Sequence, residues 1–134
     1  MPMRLRPWLC AGFVALLIVW TWKLVEPNPV PAALEQELPA DWRFWLSKAV
    51  HFGMYFILFL LGTGGLRSRW RWGVAGLLLL HAGLTELIQT WVPNRHGSLR
   101  DVLIDGGGVA AGLFLSEWCR RTRQGCRGTA LSET

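Results

Sequence analysis

SKAVHFGMYFILFLLGTGGL, residues 47–66, carries one formal charge, Lys48, at its start and is otherwise almost wholly apolar. A helix of ~20 such residues crosses ~30 Å of hydrocarbon at 1.5 Å per residue. Three further runs of similar length flank it, at residues 8–25, 72–92 and 99–118. Lipid leaves no water to satisfy open backbone groups, so all four runs are expected to be helices. The fold class is therefore an all-α integral membrane bundle of four transmembrane helices. The fourth run is the least regular, since it holds Asp101, Asp105 and three consecutive glycines, Gly106 to Gly108.

Composition agrees with this reading. Of the 134 residues, 51% are hydrophobic and 17% charged, and mean hydropathy is +0.28. The apolar residues are gathered into blocks rather than scattered, which separates a membrane chain from a soluble one. The net charge of +5 does not point to nucleic acid, because the arginines sit in short clusters beside apolar runs. That is the placement of topology determinants rather than of a phosphate-binding face. Cys10, Cys119 and Cys126 have no CxxC spacing and read as reduced thiols.

Lys- and Arg-rich short loops stay in the cytoplasm. Arg4 and Arg6 precede the first run, Arg67, Arg69 and Arg71 join the second to the third, and Arg120, Arg121, Arg123 and Arg127 follow the fourth. With four spans all three clusters fall on one side, so both termini are expected to be cytoplasmic. The segment 26–45 carries Glu26, Glu35, Glu37 and Asp41 against Arg43 and is expected outside, with a short helix around residues 32–38. A basic start before an apolar core is also a signal-peptide signature, but this run is long and no small-x-small cleavage site follows it directly. Residues 1–119 read as one domain, and 120–134 as a basic, disordered cytoplasmic tail.

Trp20, Trp22, Trp42, Trp45, Trp70, Trp72, Trp91 and Trp118 lie near the ends of the runs. An indole has an apolar body and one donor, which suits the headgroup level, so these residues are expected to anchor the bundle.

Ionisable groups inside a span cost a few kcal/mol each and need a partner or a function. Counted inward from the outer boundary, His51 lies ~6 Å deep, Tyr55 ~12 Å, Glu86 ~10 Å and Asp105 ~6–9 Å. They form one layer in the outer third of the bundle. Positions three or four apart share a helix face, so Lys48, His51 and Tyr55 form one stripe, Glu86 and Gln89 a second, and Asp101 and Asp105 with Gly108 and Gly112 a third. Gly108 with Gly112, and Gly76 with Gly83, are small-residue patterns that let backbones approach. Interhelical bonding of Glu86 to Lys48 or Arg95, and of Asp101 to Arg100, is one account of the layer. A polar cavity is another. His51, Glu86 and Asp105 show no local spacing that signals a metal, so no metal or other cofactor is expected. His81, about 140° around its helix from Glu86, is expected to hydrogen-bond inside the bundle, and His96 to be solvated.

The elements Lys48-Ala-Val-His51-Phe-Gly-Met-Tyr55, Glu86-Leu-Ile-Gln89, Pro93-Asn-Arg95 and Asp101-Val-Leu-Ile-Asp105, followed by Gly108 and Gly112, resemble in order and spacing the VanZ-like family of small bacterial membrane proteins. The resemblance spans residues 48–112. Two positions depart from it: Ser47 stands where the family usually has an acid, and Asp105 where it usually has asparagine. The resemblance implies a bacterial cytoplasmic (inner) membrane protein with a cell-envelope role, the family's namesake being associated with resistance to the antibiotic teicoplanin.

Three functions follow from these residues. An outer cavity could bind a lipid headgroup or anionic envelope precursor, with Lys48, Tyr55, Gln89 and Arg95 as ligand-binding residues. Guanidinium and ammonium groups suit phosphate or carboxylate. A membrane enzyme acting on an envelope lipid or glycan would draw on His51, Glu86, Asp101 and Asp105 for proton transfer. A transporter would require an oligomer, since four short helices make a narrow bundle. Membrane lipids are the expected partners and nucleic acid is not.

Overall fold

The computed structural model describes residues 7–27, 39–64 and 68–130, the last eight of these as backbone only. It contains four long helices and no strand among the described residues: α1, Pro7–Val25; α2, Ala40–Thr63; α3, Arg71–Gln89; and α4, Leu99–Ala130. All four are long and apolar enough to cross a membrane, α4 over Leu99–Thr122.

Helix α2 begins seven residues before the expected boundary, so Trp42 and Trp45 are helical rather than part of an external loop. Pro39 sets this start: with φ −55° and ψ 147° it stands outside the helix, and its carbonyl accepts the Arg43 N–H at 3.1 Å. Asp41 in the first turn suits the positive end of the helix dipole. The short helix expected at residues 32–38 lies outside the described residues.

Helix α3 ends three residues early, at Gln89. Pro93 disfavours helical backbone at the residue before it. The chain accordingly tightens: the N–H groups of Thr90, Trp91 and Val92 donate to Leu87, Ile88 and Gln89, and Asn94 turns into the left-handed region at φ 62°.

Helix α4 runs on to Ala130, where a disordered tail was expected over residues 120–134. A long nucleated helix propagates at little cost per residue. Glu117 also pairs with Arg120 and Arg121 one turn ahead, which supports the extension.

The helices alternate in direction. Leu9 of α1 lies at the Gly64 end of α2, Arg71 at the start of α3 pairs with Glu117 late in α4, and Gln89 at the end of α3 bonds Leu24 at the end of α1. Arg69, Arg71, Arg120 and Arg121 therefore share one end of the bundle, and the polar layer lies toward the other. Helices α2 and α3 pack together, with α1 and α4 each against both.

The core is formed by Tyr55, Leu58, Phe59, Val74, Ala75, Leu78, Ala82 and Val109, with Phe13, Leu16 and Leu17 of α1 against it. Outside it, large apolar side chains such as Ile18, Ile57, Leu80, Leu103 and Phe114 are exposed on every helix. A soluble bundle would bury such faces; a membrane bundle turns them to lipid. Seven of the eight expected anchoring tryptophans are also exposed. Trp20 is the exception, turned inward with its ring edge-on to His51 at 5.4 Å.

Gly108 and Gly112 are positions of close approach, as expected. A Cβ on Gly108 would lie 2.3 Å from the Phe52 carbonyl oxygen, and one on Gly112 2.6 Å from the Phe59 ring. Gly76 and Gly83 do not play this part, since a Cβ on either would meet nothing within 4 Å. Their spacing is right, but they stand on the open face of α3, turned away from the side on which Val74, Ala75, Leu78 and Ala82 are buried.

Candidate functional site

Three helices bring the polar layer together. Lys48 and His51 descend from α2, Glu86 from α3, and Asp101 and Asp105 from α4. The close approach at Gly108 sets α2 beside α4, so the stripe on one helix meets the stripe on the other, rung by rung. Lys48 Nζ pairs with Asp101 Oδ1. One turn deeper, His51 Nδ1 and Asp105 Oδ1 share a hydrogen bond of 3.0 Å. Asp101 thus takes Lys48 as partner rather than Arg100, which is exposed. A carboxylate facing a cation and a second facing an imidazole avoid isolated charges at membrane depth.

Glu86 is positioned by the loop that follows its own helix. Its Oε2 accepts the Ser98 backbone N–H at 2.6 Å, and neither Lys48 nor Arg95 bonds to it. Gly97 makes that return possible, because a Cβ there would lie 2.2 Å from the Glu86 carbonyl oxygen. Ser98 also opens α4, its carbonyl accepting the N–H groups of Asp101 and Val102. Gly97 and Ser98 are site-building residues that the reading of polar stripes passed over; a serine preceding a helical run is the signal that could have found Ser98.

Two of the expected ligand-binding residues, Gln89 and Arg95, bond the end of helix α1. Arg95 donates through Nε to the Glu26 carbonyl at 3.1 Å and through Nη2 to those of Lys23 and Leu24 at 3.0 and 3.1 Å. Gln89 Nε2 donates to Leu24 O at 2.8 Å. The last carbonyls of a helix have no partner within it, and two side chains from the α3 end supply the donors here. Burial lowers the Arg95 pKa, the nearby Glu86 and Glu26 opposing the shift, and an arginine remains charged throughout.

Tyr55 likewise belongs to packing. Fully buried, its hydroxyl bonds His81 Nδ1 at 2.9 Å, and the other ring nitrogen of His81 bonds Thr21 Oγ1 at 2.8 Å. This chain ties α1, α2 and α3 together in mid-bundle, as expected for His81. His96 is exposed.

What remains at the centre is a compact set. His51, Glu86 and Asp105 each place a ligand-capable atom within 4.8 Å of the others'. Glu86 is 5% and Asp105 0% exposed, and one oxygen of each, Oε1 and Oδ2, has no hydrogen-bond partner among the described residues. Buried polar atoms without partners are rare and call for an explanation. Beside the set, the Lys48, Asp101 and His51 side chains are 17%, 14% and 11% exposed.

Four apolar helices with lipid-facing side chains around this layer define a multi-pass membrane protein. The VanZ/LLP1 family model matches residues 13–120, and the chain belongs to that family. The match takes in α2 and α3 whole, α1 from residue 13, α4 to residue 120, and every residue of the layer. Neither the curated proteins nor the solved structures give a match to this chain.

Proposed function

We propose that the chain is a bacterial cell-envelope protein of the cytoplasmic membrane whose polar layer holds the head of an envelope lipid or lipid-linked precursor. The observation that carries this reading is the pair of buried oxygens, Glu86 Oε1 and Asp105 Oδ2, without a hydrogen-bond partner among the described residues, on two neighbouring acids from two helices. Packing alone would leave such atoms satisfied or replace them by apolar groups. The arginine cluster at the opposite end of the bundle supports cytoplasmic termini, which would turn the layer toward the outer leaflet. The family resemblance extends this reading to a part in the response to teicoplanin-type glycopeptides.

A second reading, catalysis on the bound lipid, is favoured by the His51–Asp105 bond. A carboxylate that orients an imidazole is the arrangement a general base requires. Both readings are tested by lipid retention. The full chain is purified in mild detergent from bacterial membranes and its co-purifying lipids are identified by mass spectrometry, beside Glu86→Gln/Asp105→Asn. Enrichment of one headgroup class on the parent chain and its loss from the double variant is the expected result. Identical lipid profiles on both proteins, with both folded, would remove the headgroup reading. Turnover of the enriched lipid by the parent chain and not by His51→Ala would establish catalysis; intact lipid throughout would exclude it.

A further inference from the structure

We infer that His51, Glu86 and Asp105 bind a first-row divalent metal ion in the polar layer. The three residues stand on three different helices, yet one ligand-capable atom of each lies within 4.8 Å of the other two. Bonds from such an ion to imidazole nitrogen or carboxylate oxygen are ~2.0–2.2 Å, so two ligands of one ion stand at most ~4.4 Å apart. Small side-chain rotations close the remaining gap.

Charge points the same way. Lys48 is engaged by Asp101, and Arg95 by the carbonyls at the end of α1. Glu86 and Asp105 are thus two buried acids beside His51 with no Lys or Arg bonded to either carboxylate among the described residues, the Arg95 charge lying near Glu86 without bonding it. As ligands, two carboxylates and one imidazole would bring two negative charges to an ion, which a divalent cation neutralises. The orphaned oxygens are those that an ion would take. Asp105 Oδ1 holds His51 and Glu86 Oε2 holds the Ser98 N–H, while Oδ2 and Oε1 remain free. For Glu86 one oxygen is thus fixed by an outer donor and the other is on offer, the division of labour by which outer partners aim metal ligands, and the 3.0 Å between His51 Nδ1 and Asp105 Oδ1 is a spacing that two ligands of one ion can have.

The donor set selects the ion. A mixed nitrogen and oxygen set suits zinc, manganese or iron(II), whereas calcium and magnesium favour oxygen alone. Three protein ligands leave at least one coordination position open, as in sites where metal meets a substrate. On the headgroup reading above, that position would take a phosphate oxygen of the lipid; this last link rests on that reading, and the metal itself does not.

The test measures metal and lipid separately on the full chain in detergent. Protein stripped with chelator is incubated with Zn2+, Mn2+ or Fe2+, desalted, and its bound metal determined by elemental analysis. One ion per chain is expected for at least one of the three, with Co2+ substitution giving visible absorption bands. Glu86→Gln, Asp105→Asn and His51→Gln should each weaken binding by more than the ~10–100-fold that loss of an outer partner costs, with helical content and melting profile retained. Gly83→Ala, outside the layer and with nothing within 4 Å, should keep the ion. Substoichiometric metal on the parent chain, or equal metal on the parent and on Glu86→Gln/Asp105→Asn, would overturn the inference. Because lipid retention is scored on the same samples, a chain that holds metal without a headgroup refutes only the headgroup reading. One that holds a headgroup without metal refutes only the metal.

Discussion

The backbone of Gly108 on α4 rests against the Phe52 carbonyl of α2, so that a Cβ at Gly108 would stand 2.3 Å from that oxygen and 3.1 Å from the Phe56 nitrogen. Both obstacles are backbone, and neither can rotate away. Gly108→Ala should therefore force the two helices apart, lowering stability by ~1–3 kcal/mol as overpacking does. Because the same contact aligns His51 with Asp105, it should also weaken metal binding. Gly83→Ala, where nothing lies within 4 Å, is the matched control and should change neither. Thermal melting in detergent, followed by size-exclusion fluorescence, reads both.

Arg95 bonds three carbonyls at the end of α1 and should behave as a structural residue. Arg95→Ala removes the donor from the partly buried Glu26 carbonyl and the exposed Lys23 carbonyl, while Leu24 O keeps Gln89, so the cost should be ~0.5–1.5 kcal/mol. Arg95→Lys should recover part of this, since an ammonium donates but lacks the guanidinium's fork. Protease sensitivity of α1 is the measurement. A folded, fully resistant Arg95→Ala protein would return Arg95 to ligand binding.

Lys48 and Asp101 form the upper rung between α2 and α4. Lys48→Met alone strands the acid and should cost ~1–3 kcal/mol, less than in a fully buried pair because both side chains are partly open. Lys48→Met/Asp101→Leu should cost less than the single change, a positive coupling that a double-mutant cycle in detergent would measure.

Tyr55→Phe removes one hydrogen bond to His81 without opening a cavity. It should reduce stability by ~0.6–1.7 kcal/mol, the range of interhelical bonds in membranes, and leave metal and lipid retention intact. Loss of either would place Tyr55 in the site rather than in the packing.

Sidedness can be read from Cys119, exposed beyond the Arg71–Glu117 pair, and from a cysteine placed at Ser98 near the polar end. With cytoplasmic termini, an impermeant maleimide should label Ser98→Cys in intact spheroplasts and Cys119 only in inverted vesicles. The reverse pattern would place the layer on the cytoplasmic side and remove the outer-leaflet reading.

Much of this fold is legible in the chain because a membrane imposes one-dimensional constraints. Run length sets helix number, and the Gly108 and Gly112 spacing marks a contact face. The boundaries of α2 and α3 are less legible, since they depend on Pro39 and on the turn through Pro93 and Asn94 rather than on hydropathy. Arg95 and Gln89 look like ligand residues in sequence because their carbonyl partners on α1 lie about 65 positions or more away. Gly76 and Gly83 look like packing residues because a spacing says nothing about whether another helix stands opposite.

The amino-acid sequence by itself determined the four helices, their alternation, and the layer in which His51, Glu86 and Asp105 lie, because length, apolar content and depth are properties of each segment alone. Only the tertiary structure decided which partner each polar group takes. Lys48 meets Asp101, His51 meets Asp105, and Glu86 is held by Ser98 because α2, α3 and α4 approach one another through backbone contact at Gly108 and Gly97 and through the Phe59 ring against Gly112. The same contacts leave one oxygen on each of two buried acids without a partner, and that feature belongs to no single segment of the chain.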